Sequence, residues 1–380
     1  MHFEHTEEER LFRAAVREFV QSEISPHAAR WEEEERFPWD TWRQLAELGV
    51  CGVALPAEYG GGGGGKTLMC IATEELSRAS AGLATAYLVG CGIALDGICK
   101  HGTEAQKKEY VTRCASGEVA FFALTEAAGG SDLGTMQTRY RETDSGYSLT
   151  GTKTFISNGE ESSFGVVFAS KKPGEGHRGV SAFILNKDIP GCSVGKKEKK
   201  TGQLCSSTTE IVLDDCVLPR ESMLGKEGHG VRIALEAIDK SRVAVAAQAL
   251  GIAGAAYDES IRYAKERQAF GKALGQLQTI QWMIADMSTE LEAARLLTYS
   301  AASLIDEGNP AIRESAMAKL FATEAAGRIC HNAVQIFGGY GYIRETPVER
   351  FSRDQRVTEI YEGTSEMQRW AIARQVLKMK

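Results

Sequence analysis

The chain has 380 residues, enough for two or three domains around a large core. Hydrophobic residues make up 43% and charged residues 25%, which excludes a disordered or fibrous protein. A formal net charge of -7 argues against a nucleic-acid surface but leaves room for a local basic pocket that takes an anion.

In chain order, the stretch Met1 to Arg10 is acidic and lacks the apolar centre of a signal peptide, so the sequence reads as cytoplasmic. Residues 1–118 read as a helical domain. Leu11, Phe12, Ala15, Val16 and Phe19 share one helical face. Trp39 to Leu48 and Thr73 to Ser77 continue the style. Gly82 to Cys99 is small, apolar and nearly uncharged, and reads as a buried helix beside a pocket; no run is judged long enough to cross a bilayer. Thr103 caps another helix. Residues 119–227 read as an antiparallel β domain, with strands near Met136–Arg141, Tyr147–Ile156, Phe164–Ser170, Val180–Leu185 and Glu210–Leu213. Residues 228–380 return to helical periodicity, with long helices at 229–265, 276–307 and 311–336 and a break at Gly308-Asn309-Pro310. The small residues Ala244, Ala247, Gly251 and Ala255 suit close helix packing. The fold class is therefore α+β, an α-bundle with an inserted β domain.

Nine cysteines show no C-x-x-C pair, and seven histidines show no metal spacing, so neither a disulfide framework nor a metal site is expected. Gly60 to Thr67 formally matches the phosphate-cradling G-x-x-x-x-G-K-[ST] pattern, but six consecutive glycines satisfy it trivially. Pro56 to Tyr59 stands where a P-loop needs a buried strand. A flexible surface loop is the favoured reading, and a nucleotide hydrolase the alternative.

The stretch Ile360-Tyr361-Glu362-Gly363-Thr364-Ser365-Glu366 carries the chemistry. A desolvated Glu beside an aromatic ring is a general base with a raised pKa, and glycine admits a ligand to the backbone. Alone, it better suits a loop Glu before a capped helix. Likewise Arg267 and Glu126 suit solvated charges, Gly338-Gly339 a helix terminator, and Asp239 with Arg242 a surface pair. Their joint occurrence decides. Together, Ala123 to Asp132, Lys153 to Asn158, Arg267 to Gly271 with Gln278, and Gln335 to Tyr342 through Arg350 and Asp354 to Thr364 resemble the acyl-CoA dehydrogenase family of flavoproteins, in its short-chain, butyryl-CoA branch. The resemblance spans the chain and makes the C-terminal domain a four-helix bundle.

That resemblance implies an enzyme that oxidises a short-chain acyl-CoA to the trans-2-enoyl-CoA, or runs the reverse reduction. Glu362 falls at the position of the base that takes the α-proton, and flavin N5 receives the β-hydrogen as hydride. The Glu362 backbone N–H and a flavin ribityl hydroxyl would bind the thioester carbonyl, at ~3 kcal/mol per donor in comparable sites. Some relatives carry the base just before the arginine matching Arg242; here that residue is Ser241. For FAD, the resemblance implicates Phe122, Leu124, Thr125 and Ser131, then Phe155, Ile156 and Ser157 beside the ring. Arg267, Phe270, Gln278, Gln335, Ile336, Phe337, Gly338 and Gly339 would reach the FAD of a neighbouring subunit, and Thr364, Ser365 and Glu366 complete the set. For substrate it implicates Ser131, Asp239, Arg242, Tyr361 and Gly363, with Asp239 and Arg242 at the CoA adenine end. A homotetramer that exchanges electrons with electron-transferring flavoprotein follows, with an acyl-CoA oxidase as the alternative within the fold. The chain departs from the pattern at Ala127 (usually proline), Thr135, Leu204 (often arginine) and the long glycine run.

Overall fold

The computed structural model describes residues 5–174 and 176–379; Met1 to Glu4 of the acidic N-terminal stretch lie outside them. Helix α1 (Glu7–Phe19) opens on a reciprocal cap, in which Thr6 Oγ1 accepts from Glu9 N and the Glu9 carboxylate accepts from Thr6 N. After α2 (Ala28–Glu33), α3 (Trp39–Glu47) and α4 (Gly65–Ala79) comes one continuous helix. It consists of α5 (Ala81–Tyr87), a π-helical stretch over Leu88–Ile93, and α6 (Ala94–His101). Contrary to the sequence reading, these 21 residues are long and apolar enough to cross a membrane. The apolar window is 89% buried inside the protein, as in a core helix. Short helices α7 (Glu104–Gln106) and α8 (Thr112–Ala115) lead out, the first capped by Thr103.

The sheet follows as β1 (Ala120–Ala123), β2 (Arg139–Thr143), β3 (Gly146–Ser157), β4 (Phe164–Ser170), β5 (Val180–Asn186), β6 (Cys192–Lys197), β7 (Thr208–Pro219) and β8 (Met223–Leu224), in the order β6-β7-β3-β2-β4-β5-β8. It is mixed, not purely antiparallel, because β1 runs parallel to β4 and Arg139 of β2 pairs in parallel with Ser170. Every residue of β4 is buried, so its sequence is an unbroken apolar run. Strand β6 escaped the sequence reading. It is a lysine-bearing edge with no fully buried residue, which blunts unwanted pairing and leaves no apolar signal.

Helix α9 (Gly230–Glu266) is followed by a short hairpin, β9 (Gln268–Ala269) and β10 (Lys272–Ala273). Then come α10 (Gln278–Asp306), α11 (Ile312–Phe337), α12 (Pro347–Gln355) and α13 (Ser365–Val376). The small-residue face of α9 packs on α4: a methyl at Gly251 would sit 2.2 Å from the Glu74 carbonyl oxygen and 2.6 Å from Ser77 Cβ. All three parts of the chain meet at the loop after β6. Buried Glu32 of α2 accepts from the amides of Leu204 (2.7 Å) and Cys205 (3.2 Å), and buried Asp354 of α12 accepts from Gln203 N at 2.6 Å. The departure at Leu204 thus leaves intact a contact made through its backbone.

The glycine run is not a free loop. The amides of Gly62, Gly63 and Gly64 donate to the carbonyls of Gly52, Leu55 and Val53 at 2.8–2.9 Å. Asp306 fills the start of α4, accepting from Lys66 N (2.6 Å), Thr67 N (2.8 Å) and Thr67 Oγ1 (2.7 Å). Lys66 Nζ is committed to Asp96 at 2.7 Å. A carboxylate of the protein therefore holds the position a nucleotide phosphate would take.

Gly251→Ala is expected to lower stability by about 1–3 kcal/mol, since the added methyl must push helix from helix. Chemical denaturation measures it, and an unchanged midpoint contradicts the packing described.

Candidate active site

Glu362 lies in a short connection between the 3-10 turn Arg356–Glu359 and α13. It and Gly363 both have left-handed backbones, with φ of +51° and +93°. Such a conformation is uncommon for a non-glycine residue and persists only where its surroundings fix it. Three contacts do so. Thr364 caps α13 by accepting from Met367 N at 3.4 Å. Gln368 Nε2 reaches back to the carbonyls of Gly363 (2.8 Å) and Glu362 (3.4 Å). Lys319 Nζ of α11 donates to the Gly363 carbonyl at 2.6 Å.

The two carboxylate oxygens of Glu362 differ. Oε2 accepts from the Ser241 hydroxyl of α9, which also touches the Ile238 carbonyl at 3.1 Å. Oε1 is sealed from solvent and has no partner. Burial pushes the Glu362 carboxyl up to about 7, against the Ser241 hydrogen bond and the positive charges of Lys319 and Lys66. The result is a carboxylate poised near neutral pH with one oxygen free to take a proton. Next along α9, buried Arg242 pairs with Asp239 at 2.9 Å, while its Nε and Nη1 are buried without partners. The guanidinium has Glu362 as a charged neighbour.

One side of the site ends in a polar plug. The Tyr361 hydroxyl donates to Gln248 Oε1, and Gln248 Nε2 donates to Thr85 Oγ1 (2.7 Å) and the Ala81 carbonyl (2.9 Å). Thr85 Oγ1 donates in turn to Gln203 Oε1 at 2.5 Å. Gln248, Thr85 and Gln203 are buried. Ser241 and Gln248 lie two turns apart on α9, about 10 Å along its axis. The glycines of the π-helical stretch add no cavity: methyls there would meet Met69 Cε (2.2 Å, from Gly92) and Val119 Cγ1 (3.3 Å, from Gly90).

The residues assigned to FAD fall in three places. On the sheet side, Thr125 and Ser157 are half-buried, and the Thr125 carbonyl accepts from Thr154 N at 2.9 Å. Phe155, at φ +57°, is 64% exposed, and the Thr154 hydroxyl is buried without a partner. A bare aromatic face, hydroxyls at its margin and an orphaned donor suit a flat polar ring system. Phe122 packs edge-on against Phe168, with centroids 5.0 Å apart, while Leu124 and Ile156 are core side chains and Ser131 is exposed. Beneath this wall the buried Lys153 ammonium bonds Glu126 (2.6 Å) and the Leu124 carbonyl (3.3 Å). The second group is the hairpin end. Phe270 is 92% exposed, Arg267 lies over the Tyr340 ring at 5.5 Å, and Gln278 and Gln335 are exposed. Gly338 and Gly339 face open space, whereas Ile336 and Phe337 are core side chains that could offer only backbone. The third is the α13 terminus, where Ser365 Oγ is buried and unpartnered and Glu366 is exposed. Sequence reasoning missed Lys319, Gln368, Gln248 and Thr85; the signal for Lys319 was a charge on the alanine-rich face of a core helix.

A carboxylate with one oxygen sealed from water and poised near neutrality, in a chain whose sheet also carries a wall suited to a flat ring, fits an enzyme that removes a weakly acidic proton. The comparisons agree. The chain matches the N-terminal, middle and C-terminal domains of acyl-CoA dehydrogenases over residues 6–118, 121–216 and 228–377. It belongs to the acyl-CoA dehydrogenase family, whose members are oxidoreductases and flavoproteins. It is 44% identical to acryloyl-CoA reductase (NADH) of Anaerotignum propionicum, over 100% of this chain and 96% of that one. Among solved structures, butyryl-CoA dehydrogenase of Megasphaera elsdenii superposes with a TM-score of 0.97 at 39% identity, covering 99% of this chain and 100% of that one. A chain in a structure of the electron-transferring flavoprotein of Acidaminococcus fermentans gives 0.98 at 40% identity, with both chains covered completely.

The raised Glu362 pKa makes stability depend on pH. Its folded-state value of about 7 lies above the ordinary 4.5, so its contribution is present below about 4.5 and is lost as pH rises to 7. Glu362→Gln removes that loss. Thermal melts are expected to show the variant more stable than wild type at pH 8 and the difference gone near pH 4; equal melting at pH 8 contradicts a desolvated Glu362.

Proposed function

We propose that this protein is an FAD-dependent dehydrogenase of short, unbranched acyl-CoA thioesters, with butyryl-CoA or a near neighbour as substrate. The observation that carries the reading is the Glu362 carboxylate, with Oε2 held by Ser241 and Oε1 bare. Oε1 takes the α-proton. The thioester carbonyl, where the developing negative charge collects, is bound by the Glu362 backbone N–H; a preorganised donor of this kind is worth ~3 kcal/mol. Phe155, Thr125 and Ser157 would hold the flavin ring of FAD at the sheet wall, where it would supply the acceptor for the β-hydrogen, which leaves as a hydride. Arg242, with its two unpartnered nitrogens, and Asp239 bind the polar part of the CoA.

The plug of Tyr361, Gln248 and Thr85 supports a short acyl chain. A longer one would have to break buried polar pairs, each costing about 1–3 kcal/mol to leave unmade. The exposed Phe270 hairpin supports a homotetramer in which it reaches a neighbouring subunit's FAD. Electron-transferring flavoprotein is the proposed redox partner, supported by the match of this chain to one in a structure of such a flavoprotein. The reductive direction has specific support in the likeness to acryloyl-CoA reductase. Slow oxidation of the substrate-reduced enzyme by dioxygen separates this reading from that of an oxidase.

Glu362→Gln is expected to keep its flavin spectrum and bind acyl-CoA while turnover falls by about 10²–10⁴-fold. Near-normal turnover removes Glu362 as the base. Gln248→Ala is expected to move kcat/KM from butyryl- towards hexanoyl-CoA by about tenfold, on the scale of one to two methylenes in an apolar pocket. An unmoved chain-length profile shows that the plug does not limit the substrate.

A further inference from the structure

Lys319 has no role in the mechanism above, yet it is fully buried on α11, at 0% exposed. Its neighbours along the buried face of that helix are Ser315, Ala316, Ala322 and Thr323. A buried ammonium costs more than an apolar side chain of similar size unless its partners require it. Its hydrogen-bond partner is the Gly363 carbonyl, 2.6 Å away, the first carbonyl after the base residue and part of the left-handed turn. Gln368 Nε2 shares that carbonyl at 2.8 Å, so the turn is held from α11 and α13 together.

The charges around this point divide clearly. Facing Glu362 are Lys319 from α11, Lys66 from α4, Asp96 from α6 and Arg242 from α9, with the Tyr361 hydroxyl beside it. Facing Lys319 are Glu362, Arg242, Glu359 of the preceding 3-10 turn, and Glu366 at the start of α13. Lys66 is paired with Asp96 at 2.7 Å and Arg242 with Asp239 at 2.9 Å. Among the described residues Lys319 makes no ion pair, so of the three cations its charge alone is not matched by a contacting carboxylate.

We propose that Lys319 is a positioning residue for the reaction: its ammonium anchors the Gly363 carbonyl, fixes the turn that aims Glu362 Oε1, and supplies the charge that stabilises the ionised base. The proposal rests on Glu362 being that base. The hydrogen bond sets where the carboxylate points. The charge favours its ionised form, in the sense opposite to burial. Removing both disorders the turn and makes the base harder to ionise.

The test compares Lys319→Met and Lys319→Arg with wild type as purified, flavin-loaded enzymes, using pH profiles of kcat and kcat/KM with butyryl-CoA and thermal melts. Lys319→Met keeps the length and loses the charge. Its acid limb is expected to move up by about one pH unit and its kcat to fall by about 10²-fold, with flavin still bound. Lys319→Arg is expected to return the limb to the wild-type position. An acid limb in Lys319→Met that coincides with wild type, even with a lowered melting temperature, overturns the proposal and leaves Lys319 a structural residue. Should Lys319→Met not fold, wild type carries the test. Burial draws the Lys319 pKa down to about 8, so kcat falls as pH rises through that value; a flat kcat there overturns the proposal. Glu362→Gln separates the two readings. Lost turnover in Glu362→Gln with an unmoved limb in Lys319→Met overturns the role of Lys319 alone. Retained turnover in Glu362→Gln overturns the base on which the proposal stands.

Discussion

Withdrawing one carboxylate oxygen from water, and giving it nothing in return, is the constraint on which the site depends. An ionised carboxylate without partners is strongly disfavoured in the interior, so the group keeps its proton to a higher pH instead. Glu362 stands between the extremes. Ser241 satisfies Oε2, while Oε1 is left bare. A carboxylate near its ordinary pKa would be too weak a base for a proton beside a thioester, and one with a much higher pKa would stay protonated at working pH. A value of about 7 serves both requirements.

Holding that carboxylate still requires the whole chain. Ser241 of α9 holds the Glu362 carboxylate, while Lys319 of α11 and Gln368 of α13 share the Gly363 carbonyl of the left-handed turn. The α9 face that carries Ser241 also carries Gln248, so one helix holds both the Glu362 carboxylate and the Tyr361 hydroxyl. Helix α4 presses on α9 at Gly251 and brings Lys66, paired with Asp96 of α6, near Glu362. Buried acids of α2 and α12 grip the 203–205 backbone, whose Gln203 side chain continues through Thr85 and Gln248 to Tyr361. Glu126 and Lys153 brace the sheet wall in the same manner. At the 203–205 loop and the Gly363 turn, buried charge is placed where the backbone must keep one conformation.

Much of this was legible in the sequence, and for physical reasons. The long helices declared themselves by period and by the break at Gly308-Asn309-Pro310, and β3 and β4 by their apolar content. Glu362 stood out in the sequence through its joint occurrence with the other family segments, since Tyr, Glu and Gly before a capped helix suit an ordinary loop as well. What escaped depended on contacts between distant segments. Nothing local in β6 shows that it pairs with β7, nor that β1 runs parallel to β4. The glycine run looked mobile because its anchors, the 52–55 carbonyls and Asp306, come from elsewhere in the chain. Lys319 and Gln248 read as ordinary helix residues, since burial of a polar side chain is visible only once the helices are packed. The apolar stretch Ala81–His101 was judged too short for a membrane, yet passes by length once its π-helical centre joins two helices into one.

The central claim is that Glu362, ionising near neutrality, starts the reaction. Rapid anaerobic mixing of the flavin-loaded enzyme with butyryl-CoA, followed by absorbance across pH, tests it most directly. The flavin band is expected to bleach, with a rate that falls about tenfold per unit below pH 7 and levels between about pH 7 and 8, following the fraction of ionised base. Bleaching at a constant rate down to pH 5, or a protein that takes up no flavin and leaves the thioester unchanged, would contradict the account.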